Sequence, residues 1–405
     1  MHRRRALRLR TGGHRAHANT VCIRSLVLAL LFSCSAAHAP ASAHPAASAL
    51  PDAELAESVP LETTLDHAWI PNVPDVWLDM IRGATRTLDL AEFYVSDEPG
   101  SKLHAVLGEI ERAALRGVHV RLLCDQTFYD KYPEIPNAWA NRVNMEVRRA
   151  DMRPGVLHAK YFVVDDREVY IGSQNFDWRS LEHIVEMGVR VRTPNVTKTL
   201  EALFQADWNV AGGAPFSMQL GRFEDKIDGG SIALGASPKK ITPDALWELP
   251  HLLDWIGHTT STLRVSVLTY KIKTRHGDDF HDLDDAVRAA AKRGVDVQLI
   301  VSAWNEKDAA VLDLAKTPNI EVRVLDIPKL STRDIPFARV THAKYALFDE
   351  GRAWVGTSNW EGDYFFQSRN VSLFFEHGRV PSDLARAFSD VWSSSYARSP
   401  SGPGG

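Results

Sequence analysis

Cysteine is nearly missing from this chain of 405 residues. It has three, and Cys22 and Cys34 fall within the first 43 positions, so the rest carries Cys124 alone. That excludes an internal disulfide framework and a Cys-rich zinc module beyond residue 43. Cys124 closes the alternating run Val118–Cys124, where a buried structural thiol is expected rather than a nucleophile. No H-E-x-x-H occurs either. Long apolar runs are also missing: Ser25–Phe32 is too short to span a bilayer comfortably. Acid is absent from residues 1–43, which hold seven arginines and no lysine; the remainder has 40 bases against 51 acids, a net of −11. A wholly basic nucleic-acid-coating surface is thereby excluded, while a local basic cleft is not. Apolar residues at 44% and charged residues at 24% are ordinary for a globular chain and exclude a disordered, collagen-like or multi-span protein.

What is present begins with an address. A basic stretch with Arg15 and Arg24, the apolar run Ser25–Phe32, and two A-x-A sites (Ala37-His38-Ala39 and Ala41-Ser42-Ala43) make residues 1–43 a secretory signal peptide. Secretion or export to a periplasm is expected, with lipidation at Cys34 as a variant. Residues 44–60, rich in Ala, Pro and Ser, are expected to be a flexible leader, and no transmembrane span is expected in the mature chain.

The body is one unit written twice. Trp77–Ile81, Thr87–Tyr94, Glu109–Arg116 and Gly117–Leu123 read as helix, strand, helix, strand. So do Leu252–Ile256, Thr262–Tyr270, Asp282–Arg293 and Gly294–Ile300. Leu283, Ala286, Val287 and Ala290 recur at helical spacing, and Val295, Val297 and Leu299 alternate as a strand does. Gly117 and Gly294 stand where a helix ends in a left-handed residue. The alternation predicts an α/β fold with mostly parallel, covered sheets. Its boundaries are a first half at 61–215, a Gly-rich junction at 216–230, a second half at 231–396 and a tail at 397–405.

Both copies end in the same chemistry. The first has His158-x-Lys160-x4-Asp165, then Gly172-Ser173-x-Asn175; the second has His342-x-Lys344-x4-Asp349, then Gly356-Thr357-x-Asn359. Residues i and i+2 of a strand face one way, so a pseudo-twofold would bring two imidazoles and two ammonium groups into one cleft. Lysine suits phosphate oxygens; histidine serves as a nucleophile when neutral and as an acid when charged. The set therefore fits cleavage of a phosphodiester. A metal is not expected: Asp125, Asp165 and Asp166 could hold a cation, but the lysines already supply positive charge.

With both motifs intact, the chain resembles the phospholipase D superfamily from about residue 60 to 396. Gly172–Leu181, Glu186–Val189, Ile335–Lys344 and Gly356–Phe365 make it most similar to the lysosomal phospholipase-D-like 5′-exonuclease branch, although the second motif usually ends in Glu there and here ends in Asp349. The resemblance implies two pseudo-twofold-related α/β/α sandwich halves sharing one active site, and a two-step reaction through a phosphohistidine. His158 is then expected to attack and His342 to protonate the leaving oxygen. Glu186 stands eleven residues after Asn175, where the second half has Asn370; Glu186 is expected to orient His158. Asn175 and Asn359, helped by Ser173 and Thr357, are expected to bind phosphate. Asp165 and Asp349 belong to the catalytic motifs and are expected to brace them.

The substrate is open between two classes. A 5′-exonuclease on single-stranded nucleic acid needs stacking rings, for which Phe93, Tyr94, Trp178, Trp304, Trp360 and Tyr364 are candidates. A phospholipase D, releasing phosphatidic acid or performing transphosphatidylation, needs apolar loops at the cleft. Loops 126–139 and 270–281 could serve either. No cofactor and no obligate protein partner are implied.

Overall fold

The computed structural model describes residues 50–401. The leader reading of residues 1–43, with Cys22 and Cys34, lies outside them. In the first half the strands are β1 (Ala53–Ser58), β2 (Thr87–Glu92), β3 (His119–Asp125), β4 (Met145–Ala150), β5 (Lys160–Val164), β6 (Glu168–Gly172) and β7 (Glu186–Val191), in sheet order β1-β7-β6-β5-β2-β3-β4. The second half has β8 (Glu224–Ile227), β9 (Gly230–Ser237), β10 (Thr262–Ser266), β11 (Asp296–Ser302), β12 (Ile320–Leu325), β13 (Tyr345–Phe348), β14 (Arg352–Gly356), β15 (Asn370–His377) and β16 (Ala397–Arg398), in order β8-β9-β15-β14-β13-β10-β11-β12-β16.

The fold is α/β in two halves, as expected, but its sheets are not mostly parallel. Within these two sheets only β2-β3-β4 and β10-β11-β12 run parallel, joined by helical crossovers, and the other pairings are antiparallel; a separate two-stranded ribbon, Val95–Ser96 against Phe176–Asp177, is parallel. The reason is local. The motif strand β5 turns into β6 through Asp165 and Asp166, both at positive φ (54° and 53°), which is hairpin chemistry. Asp349 (φ 51°) and Gly351 (φ 96°) do the same between β13 and β14.

Three other boundaries shift. Residues 53–58 of the expected leader form edge strand β1, paired in register from Ala53↔Val191 to Ser58↔Glu186. The junction and tail also contribute strands, β8 and β16, to the second sheet.

The helices cover the sheets as their apolar faces require. Helices α1 (Val73–Arg82) and α2 (Lys102–Leu115) pack on one face of the first sheet around Trp77, Leu103 and Ile110. After α3 (Pro194–Ala211), helices α4 (Glu248–His258), α5 (Asp282–Lys292) and α6 (Ala309–Leu314) pack likewise on the second sheet. Gly117 and Gly294 follow α2 and α5 at φ 101° and 97°, the expected helix stops. The inner faces of both sheets, with α3 and α7 (Arg379–Ser393), share one core that includes Tyr161, Ile171, Phe204, Tyr345, Val355 and Phe388. Among the described residues no helix is long and apolar enough to cross a membrane.

Two short bridges stitch the halves where the motifs begin: Leu157 pairs with Arg369, and Val185 pairs with Thr341. Each partner is 184 positions from its counterpart, so the bridges are pseudo-twofold mates. The chains approach so closely that a Cβ on Gly155 would lie 2.2 Å from the Gln367 carbonyl oxygen, which leaves room only for glycine.

Candidate active site

Each histidine sits just before its strand and is held by the other half's backbone. His158 N–H donates to the Arg369 carbonyl at 2.9 Å, and His342 N–H donates to the Val185 carbonyl at 2.8 Å. Both imidazoles line one cavity of about 410 Å³, together with Asn175 and Asn359. The lysines point back beneath them: Lys160 Nζ donates to the His158 carbonyl and Lys344 Nζ to the His342 carbonyl, each at 2.6 Å. The expected convergence of both H-x-K pairs is therefore present.

The expected pairing of Glu186 with His158 is wrong. Glu186 Oε2 accepts from His342 Nδ1 at 2.9 Å, and the Glu186 Oε1 atom accepts from Ser180 Oγ at 2.8 Å. Asn370 takes the corresponding place beside His158, with 3.0 Å between its Oδ1 and His158 Nδ1. The cause is the stitching: Glu186 follows Val185, which is bridged to Thr341, and Asn370 follows Arg369, which is bridged to Leu157. Each histidine is oriented by the opposite half.

Asn370 also fixes a proton. Its Nδ2 donates to the Tyr364 and Ser368 carbonyls at 2.9 and 3.1 Å, so its Oδ1 must face His158 and Thr357. That oxygen can only accept, so His158 carries its proton on Nδ1 and presents a bare Nε2.

The charges are set by burial. Burial first, then the Lys160 and Lys344 cations, hold His158 well below its usual range. Burial and Lys344 do the same to His342. Burial brings Lys160 down to about 7 against the opposing pull of Glu92, and pushes Lys344 well down against Glu186. Glu186 is raised to about 7 by burial, with Lys344 opposing.

The remaining expected site residues divide. Asn175 and Asn359 line the cavity, and in each the Oδ1 atom is buried without a protein partner. The hydroxyls of Ser173 and Thr357 are not free for phosphate. Ser173 Oγ donates to the Met187 carbonyl at 3.2 Å, and Thr357 Oγ1 donates to Asn370 Oδ1 at 3.0 Å, so both brace the starts of β7 and β15, which carry the orienting side chains. Asp165 and Asp349 touch no reacting group. Asp165 accepts from Thr85, Arg86 and Thr87 N–H at 2.7–2.9 Å, and Asp349 accepts from Thr260, Ser261 and Thr262 N–H. Burial raises both carboxyls, but these bonds outweigh it and hold them low, Asp349 at about 2. They are braces between the motif hairpin and the neighbouring strand. Cys124 is fully buried, and burial pushes its thiol well up.

Four of the six expected rings line the cavity: Phe93, Tyr94, Trp304 and Tyr364. Trp360 is buried in the core and Trp178 lies outside the lining. Phe93 and Tyr364 flank the His158 ring at 5.0 and 4.8 Å. Beyond Phe93 stand Phe128 at 3.9 Å, and Tyr132 stacked on Tyr94 at 4.7 Å. Lys131 lies 4.4 Å above Phe128. Segment 126–139, expected as a loop, folds mostly as two short helices (Gln126–Tyr129 and Glu134–Trp139), and its rings Phe128 and Tyr132, like Phe337, were not among the sequence candidates. Phe337 meets Trp304 on the facing wall at 6.3 Å and is 72% exposed.

The family model described as "Cardiolipin synthase, PLD-like domain" matches residues 77–208 and 252–392, once in each half. The chain belongs to the phospholipase D-like family. It is a phosphodiesterase of that superfamily, a hydrolase acting on phosphodiester bonds. Among its relatives, phospholipase D Z of Dictyostelium discoideum is 28% identical over 382 residues, covering 85% of this chain and 90% of that one. The 5′-3′ exonuclease PLD3 of Rattus norvegicus is 30% identical over 397 residues, covering 85% and 80%. A crystal structure of phosphatidylserine synthase from Haemophilus influenzae matches with a TM-score of 0.55 at 12% identity, covering 80% of this chain and 85% of that one, a likeness of fold.

Proposed function

We propose that this phosphodiesterase is an exonuclease that removes nucleotides from the 5′ end of single-stranded nucleic acid. The observation that carries this is the ring stack Phe93–Phe128–Tyr94–Tyr132, which starts against His158 and is roofed by Lys131. Successive aromatic faces beside a phosphate site, with a cation over them, are what a strand of stacked bases requires. The relatives named 5′-3′ exonuclease support the same reading.

The reaction runs in two balanced steps. The bare Nε2 of His158 attacks phosphorus, a P–N bond forms and the P–O bond to the leaving group breaks, while His342 gives its proton to the departing oxygen. Neutral His342 then takes a proton from water; the water oxygen bonds to phosphorus, the P–N bond breaks, and both histidines regain their starting states. Glu186, raised to about 7, and His342, lowered by burial, share one proton: the pair holds it at rest and delivers it to the leaving oxygen through the imidazole, with the Glu186 carboxylate stabilising the imidazolium as it forms. Lys160 and Lys344 offset the phosphoryl charge, and Asn175 and Asn359 hold its oxygens. The leader supports action outside the cytoplasm.

A phospholipase D reading has its own support in the apolar wall of Ile184, Leu268, Trp304, Phe337 and Val340, and in the Dictyostelium relatives. A paired assay with EDTA present separates the two. Nucleotide release from a 5′-hydroxyl oligonucleotide, lost in His158→Ala, is expected. Release of phosphatidic acid from phosphatidylcholine or phosphatidylglycerol vesicles, without nucleotide release, overturns the exonuclease reading.

A further inference from the structure

The two lysines rest on different ground. Strand register sets Ala91 against Tyr161 and Glu92 against Lys160. In the second half Ser266 pairs with Tyr345, which sets Val267 against Lys344. One lysine thus has a carboxylate beside it on its own half and the other has a valine. Glu92 is 1% exposed and its Oε2 has no hydrogen-bond partner. Nothing in the two-step reaction uses it, yet an unpaired buried carboxylate is costly to keep.

We propose that Glu92 is a positioning residue that acts through Lys160, as the dedicated counter-charge that keeps this lysine cationic while bound substrate shuts water out of the cleft. Glu186 cannot fill that office for both lysines, because it is engaged by His342 and Ser180. The groups that bear on the pair are few. Lys160 feels Glu92 from β2 and Glu186 from β7, and lies near His158, His342 and Lys344; Glu92 also faces Cys124 on β3 and Tyr170 on β6. Burial pulls Lys160 towards neutrality, with Glu92 its largest opposing influence, and burial likewise pushes the Glu92 carboxyl well up, with Lys160 opposing; each group's charge therefore depends on the other's. The inference rests on the phosphodiesterase reading of the site but is indifferent to nucleic acid or lipid.

The test is the pH profile of kcat/KM on bis(4-nitrophenyl) phosphate, an activated diester that favours neither substrate class. Loss of the carboxylate lowers the pH at which Lys160 gives up its proton. In Glu92→Gln the alkaline limb is therefore expected to move down by about one pH unit or more. Glu92→Asp, which keeps the charge one methylene farther away, is expected to fall between it and the parent. An unmoved limb in a folded Glu92→Gln overturns the proposal, and if that variant does not fold, an unmoved limb in Glu92→Asp does so. If the parent fails to cleave this diester, or His158→Ala still cleaves it, the site reading has failed instead. Glu92 is then judged by calorimetry with inorganic phosphate, where affinity falling at lower pH in the variant than in the parent supports it and coincident curves refute it.

Discussion

Replacing Glu186 by Gln removes one charge and almost no volume, and its effect can be worked out from the site. The carboxylate lies 2.9 Å from His342 Nδ1, and its side chain is fully buried. At that distance and an effective dielectric of about 20, an imidazolium and a carboxylate attract by roughly 6 kcal/mol. That is a ceiling, since Gln still accepts a neutral hydrogen bond worth about 1 kcal/mol. A loss of roughly 3–5 kcal/mol in the step that needs charged His342 corresponds to about 10²–10⁴ in rate. The assay compares two leaving groups under single turnover. An alkoxide must be protonated as it departs, so cleavage of an oligonucleotide is expected to fall by that factor. A 4-nitrophenolate departs without a proton, so its first step is expected to change little in Glu186→Gln and to vanish in His158→Ala. Equal losses on both substrates would refute the assignment of His342 as the acid. Stability supplies an independent sign. Glu186 has its carboxyl raised from 4.5 to about 7, so the native state holds a proton that the unfolded chain releases, and its contribution to stability falls as pH rises from about 4.5 through 7. The Gln variant is expected to gain melting temperature relative to the parent over that interval.

Three further outcomes follow from the geometry. Asp165→Ala removes the acceptor of three backbone N–H groups and should cost about 1–3 kcal/mol in denaturant midpoint analysis, while kcat of the folded enzyme stays near the parent value. Phe128→Ala should raise KM for oligonucleotides by the equivalent of about 1–3 kcal/mol, and leave bis(4-nitrophenyl) phosphate kinetics unchanged. Arg369→Met strands Asp207, its fully buried partner at 2.7 Å, and should destabilise by about 3–5 kcal/mol; adding Asp207→Asn should recover part of the loss, as read by thermal melting.

What was legible in the sequence was whatever repeats locally. H-x-K-x4-D and G-[ST]-x-N recur with an offset of 184, so the two histidines and two lysines could be assigned to one cleft before any fold was known. The helix stops at Gly117 and Gly294 were legible for the same reason. Partnership across the halves was not. Glu186 is 28 residues from His158 and 156 from His342, and only the Val185–Thr341 bridge reverses that order of proximity. The mixed sheets were missed because helical crossovers advertise parallel strands by periodicity. The motif hairpins are announced only by Asp165-Asp166 and by Asp349 with Gly351, and the aspartates look like chemistry but serve as turns. Phe128 and Tyr132 could not be distinguished from core rings, since an aromatic in a single helical turn or the turn after it has no periodic pattern to mark the side it faces.

The bridges at Leu157–Arg369 and Val185–Thr341 have a consequence for direction. In-line displacement places the attacking nitrogen and the leaving oxygen on opposite sides of phosphorus, and here those sides are related by the pseudo-twofold. On the proposed mechanism, the attacking imidazole is the one whose bridge delivers an amide, and the acid is the one whose bridge delivers a carboxylate. The direction of cleavage is then set by the carboxylate of Glu186 standing where the other half has the shorter amide of Asn370. Exchanging carboxylate and amide between the two positions is expected to exchange the roles of the two histidines.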